Sequence, residues 1–134
     1  MKTTELIVLG GGLKVTNKEG HAETNMPLRA KKVSEAFNDH PNLDGKKLQV
    51  WFEPGKFLVS AAGYLVASVN VLKENGELTF AGLDTGFNHL IRPMFYDAYH
   101  RIENISNPCG IEKPYIITGN ICETDTFAWN RKLN

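Results

Sequence analysis

The sequence predicts two unequal parts, an α/β fragment followed by a mainly antiparallel β region. From about residue 5 to residue 56, strand, loop, helix and strand follow in the order of a βαβ unit with parallel strands. From residue 57 onward, β-branched residues recur with a period near two, and a strong hairpin signal follows them. The 134 residues are enough for one ordinary domain with a substantial core.

The charged residues are balanced and spread out, with fifteen basic and fifteen acidic side chains. This distribution does not predict binding to nucleic acid or to a membrane surface. No apolar run approaches the roughly 20 residues that span a bilayer, and the start lacks a signal-peptide pattern. We therefore expect a cytoplasmic protein. Its two cysteines, Cys109 and Cys122, and its scattered histidines do not predict a metal site.

The first predicted strand, over residues 6–9, is continuously apolar and ends directly at Gly10, Gly11 and Gly12. A strand of this kind is typical of a parallel sheet that is buried on both faces. Successive glycines leave backbone N–H groups free to turn toward one point, which suits a phosphate or another anion. The alternative is a tight turn with no ligand.

An amphipathic helix is predicted over residues 27–37, and a second strand over residues 48–52. The second strand is followed by a turn, which we expect at the edge of the sheet where a ligand would bind. Parallel strands place their carboxyl ends at one edge of the sheet, where α/β folds bind ligands. We therefore expect this turn to lie beside the glycine-rich turn; its residues are Glu53, Pro54, Gly55 and Lys56.

The β region is predicted to begin with a long strand over residues 57–73, broken at Gly63. Asn75 and Gly76 predict a tight hairpin, because both residue types tolerate positive φ angles. The remaining predicted elements are strands over 78–83, 101–105 and 115–119, a polar turn over 120–127, and a short, loosely ordered end over 128–134.

The stretch from Asp84 to His100 gathers charged, amide, imidazole and phenol groups, which predicts a polar pocket. Arg92 and Tyr96 stand four residues apart, so one helical turn would put both on the same face, where they could bind a carboxylate. The alternative is a surface loop in which Asp84 and Asn88 bond their own backbone and Arg92 pairs with Asp97.

Four motifs in this order and spacing carry a family resemblance: the three glycines at 10–12, the turn at 53–56, the stretch at 84–100, and Cys122-Glu123-Thr124. The chain resembles the C-terminal part of the pyridoxal-phosphate-dependent decarboxylases of the alanine-racemase fold type. This family includes enzymes acting on ornithine, diaminopimelate and arginine, and the likeness is strongest to those acting on diaminopimelate. It covers the chain from about residue 6 to residue 133.

The resemblance implies a particular fold and assembly. Residues 1–56 would be the end of a TIM-type β/α barrel, a partial barrel segment that carries the phosphate-binding loops. Residues 57–134 would be the decarboxylase C-terminal β-barrel domain, which completes the site across a two-fold dimer. The expected partners are an amino-acid substrate and either a second copy or another barrel-containing chain, with no nucleic acid and no membrane.

The resemblance also implies a cofactor, pyridoxal 5'-phosphate. Two groups of residues match the loops that hold its phosphate. The family's lysine that binds the cofactor covalently lies far upstream and has no counterpart in this chain, so we expect the chain alone to show no decarboxylase activity. The matching residues are Gly10, Gly11, Gly12, Glu53, Pro54 and Gly55.

Five residues match substrate-binding or catalytic positions of the family. Arg92 and Tyr96 match contacts to the substrate carboxylate, and Lys56 stands where the family usually has an arginine. Lysine keeps the charge but loses the bidentate fork. Glu123 matches the residue that binds the distal amino group. Cys122 matches the cysteine that is presented to the neighbouring subunit's site and returns a proton to the decarboxylated carbon.

The expected function is therefore that of a diaminopimelate-decarboxylase-like lyase of lysine biosynthesis, which converts meso-diaminopimelate to lysine and CO2. Three alternatives stay open. The chain is a non-catalytic binding or regulatory β-module that pairs with a full-length decarboxylase, a decarboxylase fragment of carboxynorspermidine or ornithine specificity, or a plain β-domain whose polar stretch is structural.

Overall fold

The computed structural model describes residues 4–18, 20–40 and 47–134. The chain divides into two compact units, Met1–Gly63 and Tyr64–Asn134, and each is described by itself. The domain boundary predicted after residue 56 falls shortly before this division. Among the described residues, no helix has both the length and the apolar character that crossing a membrane requires.

The first unit has the predicted βαβ order. Strand β1 (Leu6–Val8) pairs in parallel with β2 (Gln49–Trp51), and the helix α1 (Met26–Asn38) lies between them in the chain. A single-turn helix, α2 (Lys56–Val59), follows β2. The pairing continues past the strand ends, because the Leu9 N–H donates to the Trp51 carbonyl at 2.9 Å. The prediction of parallel strands is confirmed.

Helix α1 begins where its sequence signals place it. The Asn25 side chain accepts a hydrogen bond from the Leu28 N–H at 2.9 Å, which satisfies a donor that the first turn cannot pair. Pro27 lies in the first turn, where its missing N–H costs nothing. On the exposed surface, Lys31 and Glu35 form an ion pair one turn apart at 3.7 Å.

The second unit contains a four-stranded mixed sheet in the order β3-β4-β5-β6. The β3–β4 and β5–β6 pairs are antiparallel, whereas β4 and β5 are parallel. Within the described residues the sheet is open rather than closed into a barrel. The elements of this unit are β3 (Val69–Asn75), β4 (Leu78–Leu83), α3 (Arg92–Tyr96), β5 (Lys113–Thr118) and β6 (Thr126–Leu133).

The hairpin prediction is confirmed, since Asn75 pairs with Leu78 and Gly76 has a φ of 61°. Three other predictions for this region were wrong. Residues 56–59 form a helical turn, and the strand begins only at Val69. Residues 101–105 form no strand. Residues 126–133 form β6, because pairing with β5 satisfies their backbone groups despite their polar side chains.

The core of the second unit lies where three strands meet. Ile117 on β5 is 2% exposed and packs with Ala81 on β4 and Ala128 on β6. Strands β4 and β6 flank β5, and the small side chains of Ala81 and Ala128 leave room for the larger Ile117 between them. Partly buried side chains complete this cluster: Leu83, Ile102, Tyr115, Phe127 and Leu133.

Truncating the central core residue should destabilise the second unit strongly. We expect Ile117→Ala to lower the free energy of unfolding by about 2–5 kcal/mol, because it leaves a cavity among Ala81, Ala128 and their neighbours. Ile111→Ala removes the same atoms from a side chain that is 85% exposed, and should change it by less than about 0.5 kcal/mol. Urea unfolding of both variants checks this. Equal effects would contradict the assignment of the core.

Candidate active site

The two predicted ligand-binding turns of the first unit lie side by side. The Glu53 N–H donates to the Gly10 carbonyl at 2.9 Å, which joins the turn after β2 to the turn after β1. This bond follows from the parallel register, in which Val8 pairs with Trp51 and both strands end at the same edge. The predicted proximity of the two turns is confirmed.

Glycine is required at these turns for two different reasons. Gly10 and Gly12 have φ angles of 64° and 71°, and Gly55 has a φ of 29°, all in the region that favours glycine. Gly11 is limited by space instead. A Cβ atom there would lie 2.3 Å from the Glu53 carbonyl oxygen, closer than any real contact. The backbones of the two turns are therefore in close contact at Gly11, with no space for a side chain between them.

These turns fit a phosphate group through their backbone. Within the described part of the chain, the N–H groups of Gly11, Gly12 and Gly55 donate to no protein acceptor. Neighbouring donors of this kind form a site for an anion, and the phosphate of pyridoxal 5'-phosphate is such an anion. The exposed Glu53 side chain carries the wrong charge for this, so its contribution would come from the backbone.

Arg29 contacts the first of these turns, and sequence reasoning did not single it out. Its Nη2 donates to the Gly11 carbonyl at 3.4 Å, and its guanidinium carbon lies 5.9 Å from the centre of the Phe52 ring. The sequence around Arg29 reads as the solvated face of a helix, with Lys31 and Lys32 close by. Nothing in that local pattern marks one basic residue as different from the others.

Lys56 is the first residue of α2, directly after Gly55, and its side chain is exposed. The first hydrogen bonds of this helical turn run from the Phe57 N–H to the Pro54 carbonyl and from the Leu58 N–H to the Gly55 carbonyl. The turn at 53–56 and the start of α2 are therefore one continuous structure. This places Lys56 next in the chain to the glycine-containing turn at 53–55.

Arg92 and Tyr96 lie on one face of α3, as predicted. The guanidinium carbon of Arg92 is 5.4 Å from the centre of the Tyr96 ring, a distance at which cation and ring attract each other. Asp97 ends the helix with a φ of 48° and donates its N–H to the Arg92 carbonyl. Among the described residues, no ion pair joins Arg92 to Asp97, so the alternative pairing is not formed.

Cys122 and Glu123 lie in the loop that joins β5 to β6, residues 119–125. Both side chains are exposed, and the cysteine forms no disulfide. The loop is closed at its base by the Gly119 N–H, which donates to the Asp125 carbonyl at 2.7 Å. Exposed residues on loops that a rigid scaffold holds in place are common in binding and catalytic sites.

A cavity of about 270 Å³ lies between this loop, α3 and the stretch before α3. Of the predicted site residues, Glu123 lines the cavity, whereas Arg92, Tyr96 and Cys122 do not. Four of its six lining residues are apolar, and Glu123 is the one acidic residue among them. The lining residues are Phe87, Ile91, Met94, Phe95, Glu123 and Thr124.

Asp125 fixes the position of this loop, and sequence reasoning treated it only as part of a polar turn. It is 5% exposed, and its carboxylate accepts hydrogen bonds from the Phe87 N–H at 2.9 Å and the Ile121 N–H at 3.1 Å. The Asn120 N–H donates to the Thr85 carbonyl at 3.0 Å and adds a parallel link. No local sequence signal marks Asp125; only the structure shows that Gly86 and Gly119 lie beside its carboxylate.

The other polar residues of the stretch have structural partners. The Asp84 carboxylate accepts from the Ser68 N–H at 2.8 Å, which joins the stretch to the segment before β3. Thr85 is buried, and its hydroxyl forms a hydrogen bond with Nδ1 of His89 at 2.9 Å. Asp84 therefore bonds a remote backbone rather than its own, which differs from the alternative considered for this loop.

The mixed sheet, the glycine turns and the loop carrying Cys122 and Glu123 define a class of protein. Residues 56–134 match the family model described as the C-terminal sheet domain of pyridoxal-dependent decarboxylases. The chain belongs to this family.

Curated proteins similar to this chain include diaminopimelate decarboxylases. The chain is 35% identical to that of Methanothermobacter thermautotrophicus over 134 residues, covering 96% of this chain and 31% of the relative. It is 36% identical to that of Haemophilus influenzae over 131 residues, covering 97% and 30%. The chain thus spans about a third of the length of these relatives.

Solved structures agree with this result. Diaminopimelate decarboxylase from Helicobacter pylori, complexed with L-lysine, gives a TM-score of 0.81 at 29% identity and covers 97% of this chain and 30% of its own. Lysine/ornithine decarboxylase from Vibrio vulnificus, complexed with cadaverine, gives 0.79 at 26% identity, with coverage of 97% and 34%.

Proposed function

We propose that this chain supplies part of the active site of a pyridoxal-phosphate-dependent decarboxylase that converts meso-diaminopimelate to lysine and CO2. The observation that carries this proposal is the meeting of α3, which bears Arg92 and Tyr96, with the loop of Cys122 and Glu123 around one cavity. The similarity to diaminopimelate decarboxylases supports the choice of substrate.

Arg92 and Tyr96 bind the carboxylate of the substrate. The half-buried guanidinium stacks against the phenol ring, so fewer side-chain conformations are lost when an anion binds. Lys56 adds a positive charge without a bidentate fork. Glu123 binds the distal amino group. Diaminopimelate has two amino-acid ends joined by a methylene chain, and the apolar wall beside the Glu123 carboxylate matches that alternation of polar and apolar groups.

The cofactor phosphate would be held by the backbone N–H groups of Gly11, Gly12 and Gly55, which are unpaired within the described residues, with Gly10, Glu53 and Pro54 shaping the two turns that carry these donors. Held there, pyridoxal phosphate would supply the electron sink that loss of the substrate carboxylate requires. Cys122 then donates its thiol proton to the carbon that lost the carboxylate. Its exposure on the loop after β5 allows this thiol to reach a site on another subunit.

Residues 1–56 form the end of a TIM-type barrel, and residues 57–134 belong to the C-terminal β-barrel domain. The parallel βαβ order supports the first part, and the match to the family's sheet domain supports the second. The protein acts in the cytoplasm as a homodimer or together with another barrel-containing chain. By native protein we mean this chain together with any polypeptide that accompanies it in the cell.

The test is decarboxylation of meso-diaminopimelate by the native protein with added cofactor. We expect release of CO2 and formation of lysine, and no turnover by the 134-residue chain alone. Arg92→Ala should lower kcat/KM at least about 30-fold, because losing a partner of a desolvated charge pair costs about 2 kcal/mol or more. Arg101→Ala removes an exposed arginine that pairs with Glu103 and should change little.

Two results would contradict the proposal. One is the absence of CO2 release from diaminopimelate by the native protein, or release only from ornithine, which would reassign the substrate. The other is an Arg92→Ala variant that behaves like Arg101→Ala, which would make the stretch around α3 structural.

A further inference from the structure

We propose that Asp125 is a positioning residue that holds the Cys122–Glu123 loop against the stretch leading to Arg92, and thereby aligns the proton donor with bound substrate. This inference rests on the proposed function. Asp125 is three positions after Cys122 in the chain, and its carboxylate bonds both its own loop and the turn at Gly86 and Phe87.

The Asp125 carboxylate is built into its surroundings rather than placed there by chance. It is 5% exposed, and burying a carboxylate is unfavourable unless hydrogen bonds satisfy it. Each oxygen accepts one backbone N–H, Oδ1 from Phe87 and Oδ2 from Ile121. Hydrogen bonds to charged groups are among the stronger ones in proteins.

Two glycines show that the surrounding backbone accommodates this carboxylate. A Cβ atom on Gly119 would lie 2.0 Å from Oδ2 of Asp125, and one on Gly86 would lie 2.7 Å from the same oxygen. Neither glycine has a positive φ angle, so backbone conformation does not demand glycine at these positions. Glycine is needed at both positions because the Asp125 side chain lies where a Cβ atom would be.

The hydrogen bonds of Asp125 hold two segments of the site, its own loop and the stretch that leads to α3. On its own loop, the bond to Ile121 N–H and the bond from Gly119 N–H to the Asp125 carbonyl fix the segment just before Cys122. Across the loop, the bond to Phe87 N–H fixes a residue that lines the same cavity as Glu123. One carboxylate thus sets the distance between the loop and the stretch that continues into α3.

Asparagine cannot replace this carboxylate, although it has nearly the same shape. An amide has one acceptor oxygen and one donor nitrogen, so one of the two backbone N–H groups would face another donor. Asp125→Asn therefore removes one hydrogen bond and adds a repulsive contact without opening a large cavity. A matched control is Asp84→Asn, which affects an exposed carboxylate that bonds the Ser68 N–H on the same stretch.

The experiment compares these two variants in the native protein with its cofactor. For Asp125→Asn we expect kcat with meso-diaminopimelate to fall about tenfold or more, while the affinity for pyridoxal phosphate, read by absorbance, stays within about twofold. Amide hydrogen exchange should accelerate about tenfold at Phe87 and Ile121. The rate of thiol alkylation should change at Cys122 and stay constant at Cys109, which is also exposed. Asp84→Asn should leave kcat within about twofold.

Gly86→Ala provides a second route if Asp125→Asn does not fold. Its Cβ atom pushes against Oδ2 of Asp125 and the Ile121 side chain, so it should produce the same changes in exchange and alkylation. Unchanged exchange and alkylation in the variants, or a loss of kcat no larger than in Asp84→Asn, would overturn the role of Asp125. Failure of the proposed function reads differently, since the unmodified native protein would then release no CO2 from meso-diaminopimelate, whatever the amide exchange of Asp125→Asn shows.

Discussion

Gly11→Ala is expected to lower the affinity of the native protein for pyridoxal phosphate by about 100-fold or more. The added Cβ atom would lie 2.3 Å from the Glu53 carbonyl oxygen, which belongs to backbone and cannot rotate away. One of the two turns must therefore move, and backbone donors that bind an anion lose their common direction when a turn moves. Titration with the cofactor, followed by absorbance, measures the change.

Gly63→Ala is the matched control for this prediction. Gly63 has no atom within 4 Å of an added Cβ and no positive φ angle, so alanine fits there without strain. We expect its cofactor affinity to equal that of the unmodified protein. If Gly11→Ala bound the cofactor as well as Gly63→Ala does, the two turns would have no part in the phosphate site.

Cys122→Ala should reduce kcat of the native protein by about 10²–10⁴-fold, the range that a positioned general acid contributes. Substrate affinity should change little, because the thiol acts after the substrate is bound. Cys109→Ala is the control, since Cys109 is likewise free and exposed but lies outside the β5–β6 loop. Steady-state kinetics give kcat, and turnover in D2O shows whether deuterium still enters the product carbon with one stereochemistry.

An unchanged kcat in Cys122→Ala would assign the proton to another donor. A loss of equal size in Cys109→Ala would point to a general effect of cysteine replacement on the fold.

The first unit could be predicted well from the sequence because its signals are local. The apolar run before Gly10 predicts a strand, and the parallel order of a βαβ unit then brings the two turns together. The predicted burial of this strand on both faces was wrong, because none of Leu6–Val8 is buried and Val8 is 47% exposed. The hairpin at Asn75 and Gly76 depends on the conformational freedom of two neighbouring residues. The hairpin interaction spans few residues, and the pairing of Leu6 with Gln49, although the two are far apart in the chain, follows from the order of the βαβ elements.

The second unit was harder to predict because long-range pairings decide it. Strand β6 is polar in sequence and gains its order from β5, and the parallel pairing of β4 with β5 is invisible in either strand alone. The helical pair Arg92 and Tyr96 was predictable from its spacing. Asp125 was not, since its partner Phe87 lies 38 residues away and the carboxylate alone resembles any loop aspartate.

The parallel pairing of β4 and β5 also sets an order of events as the chain folds. The residues between these strands, 84–112, include α3 with Arg92 and Tyr96, so the two ends of that segment must come together before the sheet is complete. Closing a segment of this length costs conformational entropy that no local contact repays. We therefore expect the placement of α3 against the sheet to form later than the β3–β4 hairpin, which closes over only a few residues.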